Sequence, residues 1–145
     1  MNRVLFLCKD NSIFSPVAEA YCKAITGEDT EVYSAGTEEI RIDSYIIKIM
    51  NDEGIDLSGF KPHLVNEYKH IDFDYILTFD SESESISHHF PSRSIKYHYD
   101  FDRMIYDNTL EADKSEMYQL IREKIKKTVK SFVREHLSKD NANSD

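Results

Sequence analysis

The stretch Val4-Leu5-Phe6-Leu7-Cys8-Lys9-Asp10-Asn11-Ser12-Ile13-Phe14-Ser15-Pro16-Val17-Ala18-Glu19-Ala20 runs from an apolar segment, through a polar loop, into a helix start. Arg3 to Cys8 is a short apolar run, the pattern of a buried strand. Ser15 suits the N-cap, Pro16 the first helical position, and Glu19 the first turn, where the helix dipole favours acids. Val17, Ala20, Tyr21 and Ala24 then share one helical face. A cysteine at a strand end, just before a helix N-terminus, has a chemical use. The N–H groups of such a turn can curl around a tetrahedral anion, and the dipole lowers a nearby thiol pKa. Ser15 either donates to that sulfur or only caps the helix. The plain alternative is that Cys8 is a small buried hydrophobe.

Working outward, Glu31 to Gly36 reads as a second strand, Phe73 to Phe79 as a third and Ser94 to Tyr99 as a fourth. Ser44 to Glu53 reads as a helix, with Ile46, Ile47 and Met50 inward and Gly54 past its end. The acidic, serine-rich run from Asp80 to Ser85 reads as a loop or a helix start. Glu116 to Leu137 is the longest helix, with Met117, Leu120, Ile121, Ile125, Val129, Phe132 and Val133 at helical spacing. Strands alternating with helices predict an α/β three-layer sandwich, a central four-stranded parallel sheet with helices on both faces. In such sheets the ligand site lies beyond the carboxyl ends of the strands, where Cys8 sits. Residues 1–137 are expected to form one domain, with 138–145 a disordered polar tail.

The chain has 145 residues, 40% of them hydrophobic, and a net charge of −9. That charge disfavours nucleic acid and anionic membrane surfaces, and no run is long enough to span a bilayer. Two cysteines, Cys8 and Cys22, without a secretory signal fit a cytoplasmic protein with no disulfide framework. They are too few for structural zinc, and the adjacent His88 and His89 point in different directions. No metal and no cofactor is expected.

The opening stretch resembles that of the low-molecular-weight protein tyrosine phosphatases, which have a cysteine, five loop residues, Arg-Ser and then Pro-x-Ala-Glu. Ser34-Ala35-Gly36-Thr37, Gly54-Ile55-Asp56-Leu57-Ser58-Gly59 and Asp74-Tyr75-Ile76-Leu77-Thr78-Phe79-Asp80 match further family stretches in order. The resemblance implies that Cys8 is a nucleophile toward phosphate monoesters and that Ser15 supports its thiolate. It makes Lys9, Asp10, Asn11, Ser12, Ile13, Phe14 and Ser15 the loop around a phosphate or phosphotyrosine-like anion. It also implies that Asn11 shapes this loop by bonding to Ser34.

Three departures stand inside this machinery. The family arginine falls on Phe14, which offers neither charge nor donor. Asp10 stands where the family has a small residue, and its carboxylate would repel phosphate. The family's general acid, an Asp before Pro, has no Asp-Pro counterpart. Spacing leaves Asp102 or Asp107, with Asp100 less suited. Weak or absent activity is therefore expected, the other reading being a pseudophosphatase that binds an anion or a protein partner. The related thioredoxin-coupled arsenate reductases need additional cysteines. One such position corresponds to Asp80, and Cys22 reads as packing, so arsenate reduction by that route is disfavoured.

Overall fold

The computed structural model describes residues 1–101 and 114–137. Four strands form one parallel sheet: β1 (Asn2–Cys8), β2 (Thr30–Gly36), β3 (Tyr75–Thr78) and β4 (Ile95–His98), in the order β2-β1-β3-β4. β1 is central, paired with β2 from Asn2↔Thr30 to Cys8↔Gly36 and with β3 from Val4↔Tyr75 to Leu7↔Thr78. Both partners thus run alongside β1 to the end where Cys8 emerges.

Alternate side chains of β1 feed two different cores, as the pleat requires. Val4, Phe6 and Cys8 face α1 (Phe14–Ile25), α2 (Ser44–Asn51) and α4 (Lys114–Phe132). Leu5 and Leu7 face Val65, Phe73, Ile76 and Phe90, beside α3 (Ser81–Ser87) and the 3₁₀ turn Val65–Tyr68. Helices therefore cover both faces, as expected.

α4 is tied to its neighbours by polar contacts as well as apolar ones. Tyr118 donates its hydroxyl to Asp43 at 2.9 Å, and Asp43 also caps α2 through Tyr45 N–H. Arg122 donates to the Ile49 carbonyl at 2.9 Å, and Lys126 pairs with Glu53 at 2.8 Å. Beyond Phe132 the helix widens into a π turn, Val133–Leu137.

Several boundaries differ from the sequence reading. α1 starts at Phe14, and Ile13, with no side-chain bond, holds the cap position. Ser15 is therefore inside the first turn and is not the N-cap, because its hydroxyl is taken by the loop. The buried positions of α1 are Phe14, Ser15, Pro16, Val17, Ala18, Tyr21 and Cys22, while Ala20 is half-buried and Ala24 exposed. In α2, Ile46, Ile49 and Met50 are buried while Ile47 is half-buried. Leu120 is 53% exposed on α4, one position from the fully buried Ile121. The stretch from Asp80 is a helix with Asp80 as its cap. Among the described residues no helix is long and apolar enough to cross a membrane.

Truncating Ile121 to alanine should cost about 2–5 kcal/mol, since the side chain leaves a cavity in a packed core. Leu120→Ala should change stability by less than ~0.5 kcal/mol. Urea unfolding of the two variants checks the pair.

Candidate functional site

Cys8 ends β1 and is almost fully buried. The chain then turns through Lys9–Ile13 into α1, and each half of that turn is held by a different neighbour. Lys9 N–H donates to Asp80 Oδ2 at 2.7 Å, while Asp80 Oδ1 accepts from Ser83 N–H at 2.9 Å. The Lys9 carbonyl accepts from the N–H groups of Thr37 and Glu38, at 2.7 and 3.0 Å, just beyond β2. Asp10 Oδ1 accepts from Ser12 N–H at 3.2 Å.

Asn11 stands at the middle with φ 56, the only non-glycine at positive φ among the described residues. That conformation costs on the order of 1 kcal/mol and is least costly for Asn or Asp. The side chain offsets the cost. Asn11 Nδ2 donates to Ser15 Oγ at 2.7 Å and to Ser34 Oγ at 3.1 Å, and Asn11 Oδ1 accepts from His63 N–H at 2.9 Å. Gly36, at the end of β2, lies directly behind. A Cβ there would meet Asn11 N at 2.7 Å and the Asp10 carbonyl carbon at 2.8 Å, so glycine alone fits.

The sulfur of Cys8 lies 2.9 Å from Ser15 Oγ, and Ser15 N–H points to it at 3.5 Å. Burial pushes the Cys8 thiol up to about 11; the Ser15 hydroxyl and N–H oppose this, and Asp80 and Asp10 add to it. This reverses the lowering expected from the helix N-terminus, because the sulfur is shut away from water and the Asp80 and Asp10 carboxylates further disfavour its charge. Phe14 is turned into the core, 5% exposed. Its ring meets Phe101 edge-on at 5.8 Å and Phe79 at 6.4 Å. Ser12 and Ser34 are buried, Ile13 is half-buried and Lys9 is exposed.

The structure thus brings together Cys8, Asn11, Ser15 and Ser34. Asp102 and Asp107 lie outside the described residues; Asp100 is exposed past the end of β4. Cys22 is buried in the α1 core with a free thiol that burial pushes up to about 12. Sequence reasoning missed Asp80 as a loop holder, although Asp before Ser-x-Ser is a helix-cap signal. It also missed His63, whose N–H donates to Asn11 Oδ1, and Glu19, whose Oε1 accepts from Ser34 Oγ at 2.6 Å, because both contacts join residues distant along the chain.

An α/β sheet carries a cysteine at the carboxyl end of its central strand, and the loop that follows winds back into a helix. The sequence pattern of the low molecular weight phosphotyrosine protein phosphatases matches residues 3–143, and the chain belongs to that family. Arsenate reductase 1 of Staphylococcus epidermidis is 33% identical over 130 residues, covering 90% of this chain and 94% of that protein. A solved arsenate reductase in the phosphate binding state superposes with TM-score 0.70 at 23% identity, covering 93% of this chain and 98% of that one. The low molecular weight protein tyrosine phosphatase of Streptococcus pyogenes gives TM-score 0.70 at 23% identity, covering 99% and 98%. Similarity to arsenate reductases runs against the sequence reading, which set that activity aside.

A raised thiol pKa fixes a sign for alkaline pH. The folded protein holds the Cys8 proton more tightly than the unfolded chain. That stability is complete below the unfolded value near pH 9 and is lost as pH rises through about 11. Between about pH 8 and 11, wild type should therefore lose on the order of 2–3 kcal/mol more than Cys8→Ala. Urea unfolding of both proteins across that range measures the difference, and the tyrosines shared by both cancel.

Proposed function

We propose that the loop from Cys8 to Ser15 binds a tetrahedral oxyanion, arsenate or phosphate, and that chemistry at Cys8 on that anion is slow. The observation that carries this reading is Phe14. An arginine there would grip two oxygens with a bidentate fork. Phe14 instead packs on Phe79 and Phe101, and loss of a comparable clamp costs on the order of 10³–10⁵ in rate. The protonated Cys8 and the carboxylates of Asp10 and Asp80 act in the same direction. The shaped loop itself supports binding, as does the phosphate-binding state of the similar arsenate reductase. In this reading the protein is close to a pseudophosphatase, working in a reducing, cytoplasmic setting that suits two free thiols. Any residual hydrolysis would pass through a phosphocysteine at Cys8, with Asp102 or Asp107 as acid.

A second reading is arsenate reduction, favoured by the 33% identity to a named arsenate reductase. Cys8 sulfur would bond to As(V) with loss of water. A thiol would then attack that sulfur, the S–As bond would break, and arsenic would leave as As(III) with its electron pair, leaving a disulfide. That second thiol has to come from outside this chain, as a small-molecule thiol or a thioredoxin-type dithiol. Asp80 occupies the place of a family cysteine, and Cys22 is buried in the core.

Calorimetry with arsenate and with phosphate, alongside p-nitrophenyl phosphate turnover, tests the first reading. Wild type should bind both anions and turn over little, and Phe14→Arg should bind about tenfold tighter or better. Arsenite release with dithiothreitol, abolished in Cys8→Ser, would move the assignment to the second reading. If neither wild type nor Phe14→Arg binds either anion, both readings fail.

A further inference from the structure

Two carboxylates stand at the loop, and they are committed differently. Both oxygens of Asp80 are taken, Oδ2 by Lys9 N–H at 2.7 Å and Oδ1 by Ser83 N–H at 2.9 Å. Asp10 uses only one of its two. Its Oδ1 accepts from Ser12 N–H at 3.2 Å, and its Oδ2 has no partner among the described residues. Asp10 is half-buried. Two further neighbours locate its carboxylate. The charge is felt at the Cys8 sulfur, at the end of β1, and at the Tyr118 hydroxyl on α4. Tyr118 donates to Asp43, whose own N–H holds the Ser12 carbonyl at 3.2 Å. An anion seated over Cys8 would therefore have the Asp10 carboxylate beside it. No cation answers that charge from position 14, where Phe14 is turned into the core.

A carboxylate oxygen next to an anion oxygen repels it unless a hydrogen lies between them. An ionised carboxylate has lone pairs and no hydrogen, so the anion has to bring one. Inorganic phosphate and arsenate keep a hydroxyl through neutral pH. Sulfate has none there, and a phosphate monoester loses its last above about pH 6.

We infer that Asp10 is a specificity-determining residue, accepting a hydroxyl hydrogen from the bound anion and so restricting the loop to inorganic phosphate and arsenate, against sulfate and phosphate monoesters. This rests on the oxyanion reading above and narrows it. A hydrogen bond to a charged group is worth about ten- to a hundredfold in affinity. A site built to meet a hydroxyl also rejects the analogue that lacks one, because its acceptor is left facing bare charge. The carboxylate that obstructs a phosphotyrosine dianion is thus a filter in favour of a hydroxylated inorganic anion.

Calorimetry on the full chain at about pH 8 tests this, with inorganic phosphate, arsenate, sulfate and phenyl phosphate as probes. Hydrogen phosphate and sulfate then have the same charge and nearly the same shape, and differ by one hydrogen. Wild type should bind phosphate and arsenate at least about tenfold tighter than sulfate or phenyl phosphate. Asp10→Asn keeps the size and loses the charge, and its amide can donate as well as accept. Sulfate should then come within about threefold of phosphate. Asp10→Gly should show the same levelling, and it decides in place of Asp10→Asn if that variant fails to fold. Sulfate or phenyl phosphate binding wild type as tightly as phosphate overturns the proposal and leaves the oxyanion reading standing. A preference for phosphate that survives in the variants also overturns it, since the hydrogen is then accepted elsewhere. Binding that appears only in the variants overturns it too, by making Asp10 a plug for the loop. If none of the four anions binds any of the three proteins, the oxyanion reading fails and this inference fails with it.

Discussion

A single side-chain amide fixes the geometry of this site. Asn11 is buried in a backbone conformation that most residues avoid, and its three hydrogen bonds reach α1, β2 and the segment before the 3₁₀ turn. Each bond contributes roughly 1 kcal/mol net, enough together to offset the backbone strain. Removing any one would strand a buried donor or acceptor, which costs more than the bond contributes. Among the described residues every buried side-chain N or O atom has a partner, and the buried Asn11, Ser12, Ser15 and Ser34 gather in and around the loop. Gly36 completes the constraint by leaving room for the Asn11 backbone where any Cβ would intrude.

Charge works against chemistry in the same place. A thiolate needs nearby donors or cations, and Cys8 has two donors from Ser15 but carboxylates at Asp10 and Asp80. Those carboxylates also serve the fold. Asp80 caps α3 with one oxygen and holds the Lys9 N–H with the other. The aromatic ring at position 14 shows the same trade. It joins Phe79 and Phe101 in the core, so the residue contributes packing where an arginine would contribute charge. The loop is therefore well shaped and poorly charged.

Much of this was legible in the sequence. The apolar run ending at Cys8, the Pro16 signal and the alternating pattern led to a parallel α/β sheet with the site at the end of its first strand. Cys8, Asn11, Ser15 and Ser34 all stand out from the sequence alone. What the sequence did not show has a common cause. Ser15 stood open between sulfur partner and helix cap because capping preference is local, whereas in the fold its oxygen meets both the Cys8 sulfur and the Asn11 amide. The direction of the thiol shift depends on burial and on Asp80, which is distant along the chain. Leu120 fits the helical period, yet it faces outward because the apolar stripe of α4 is narrower than the run of apolar residues. Asp102 and Asp107 stay where the sequence reading left them, outside the described residues.

The central position of β1 has a consequence for biosynthesis. Lys9 leaves the ribosome early, but its partner Asp80 lies 71 residues further on, as does the Arg3–Asp74 contact that starts the β1–β3 register. At about 5–20 residues per second, roughly 4–14 s pass between the two. During that interval the strand that becomes the middle of the sheet lacks β3 and α4, and its cysteine is open to solvent. A residue almost fully enclosed in the finished protein is thus one of the longest exposed during its making. Whatever keeps that thiol unmodified in the nascent chain must act before the fold can.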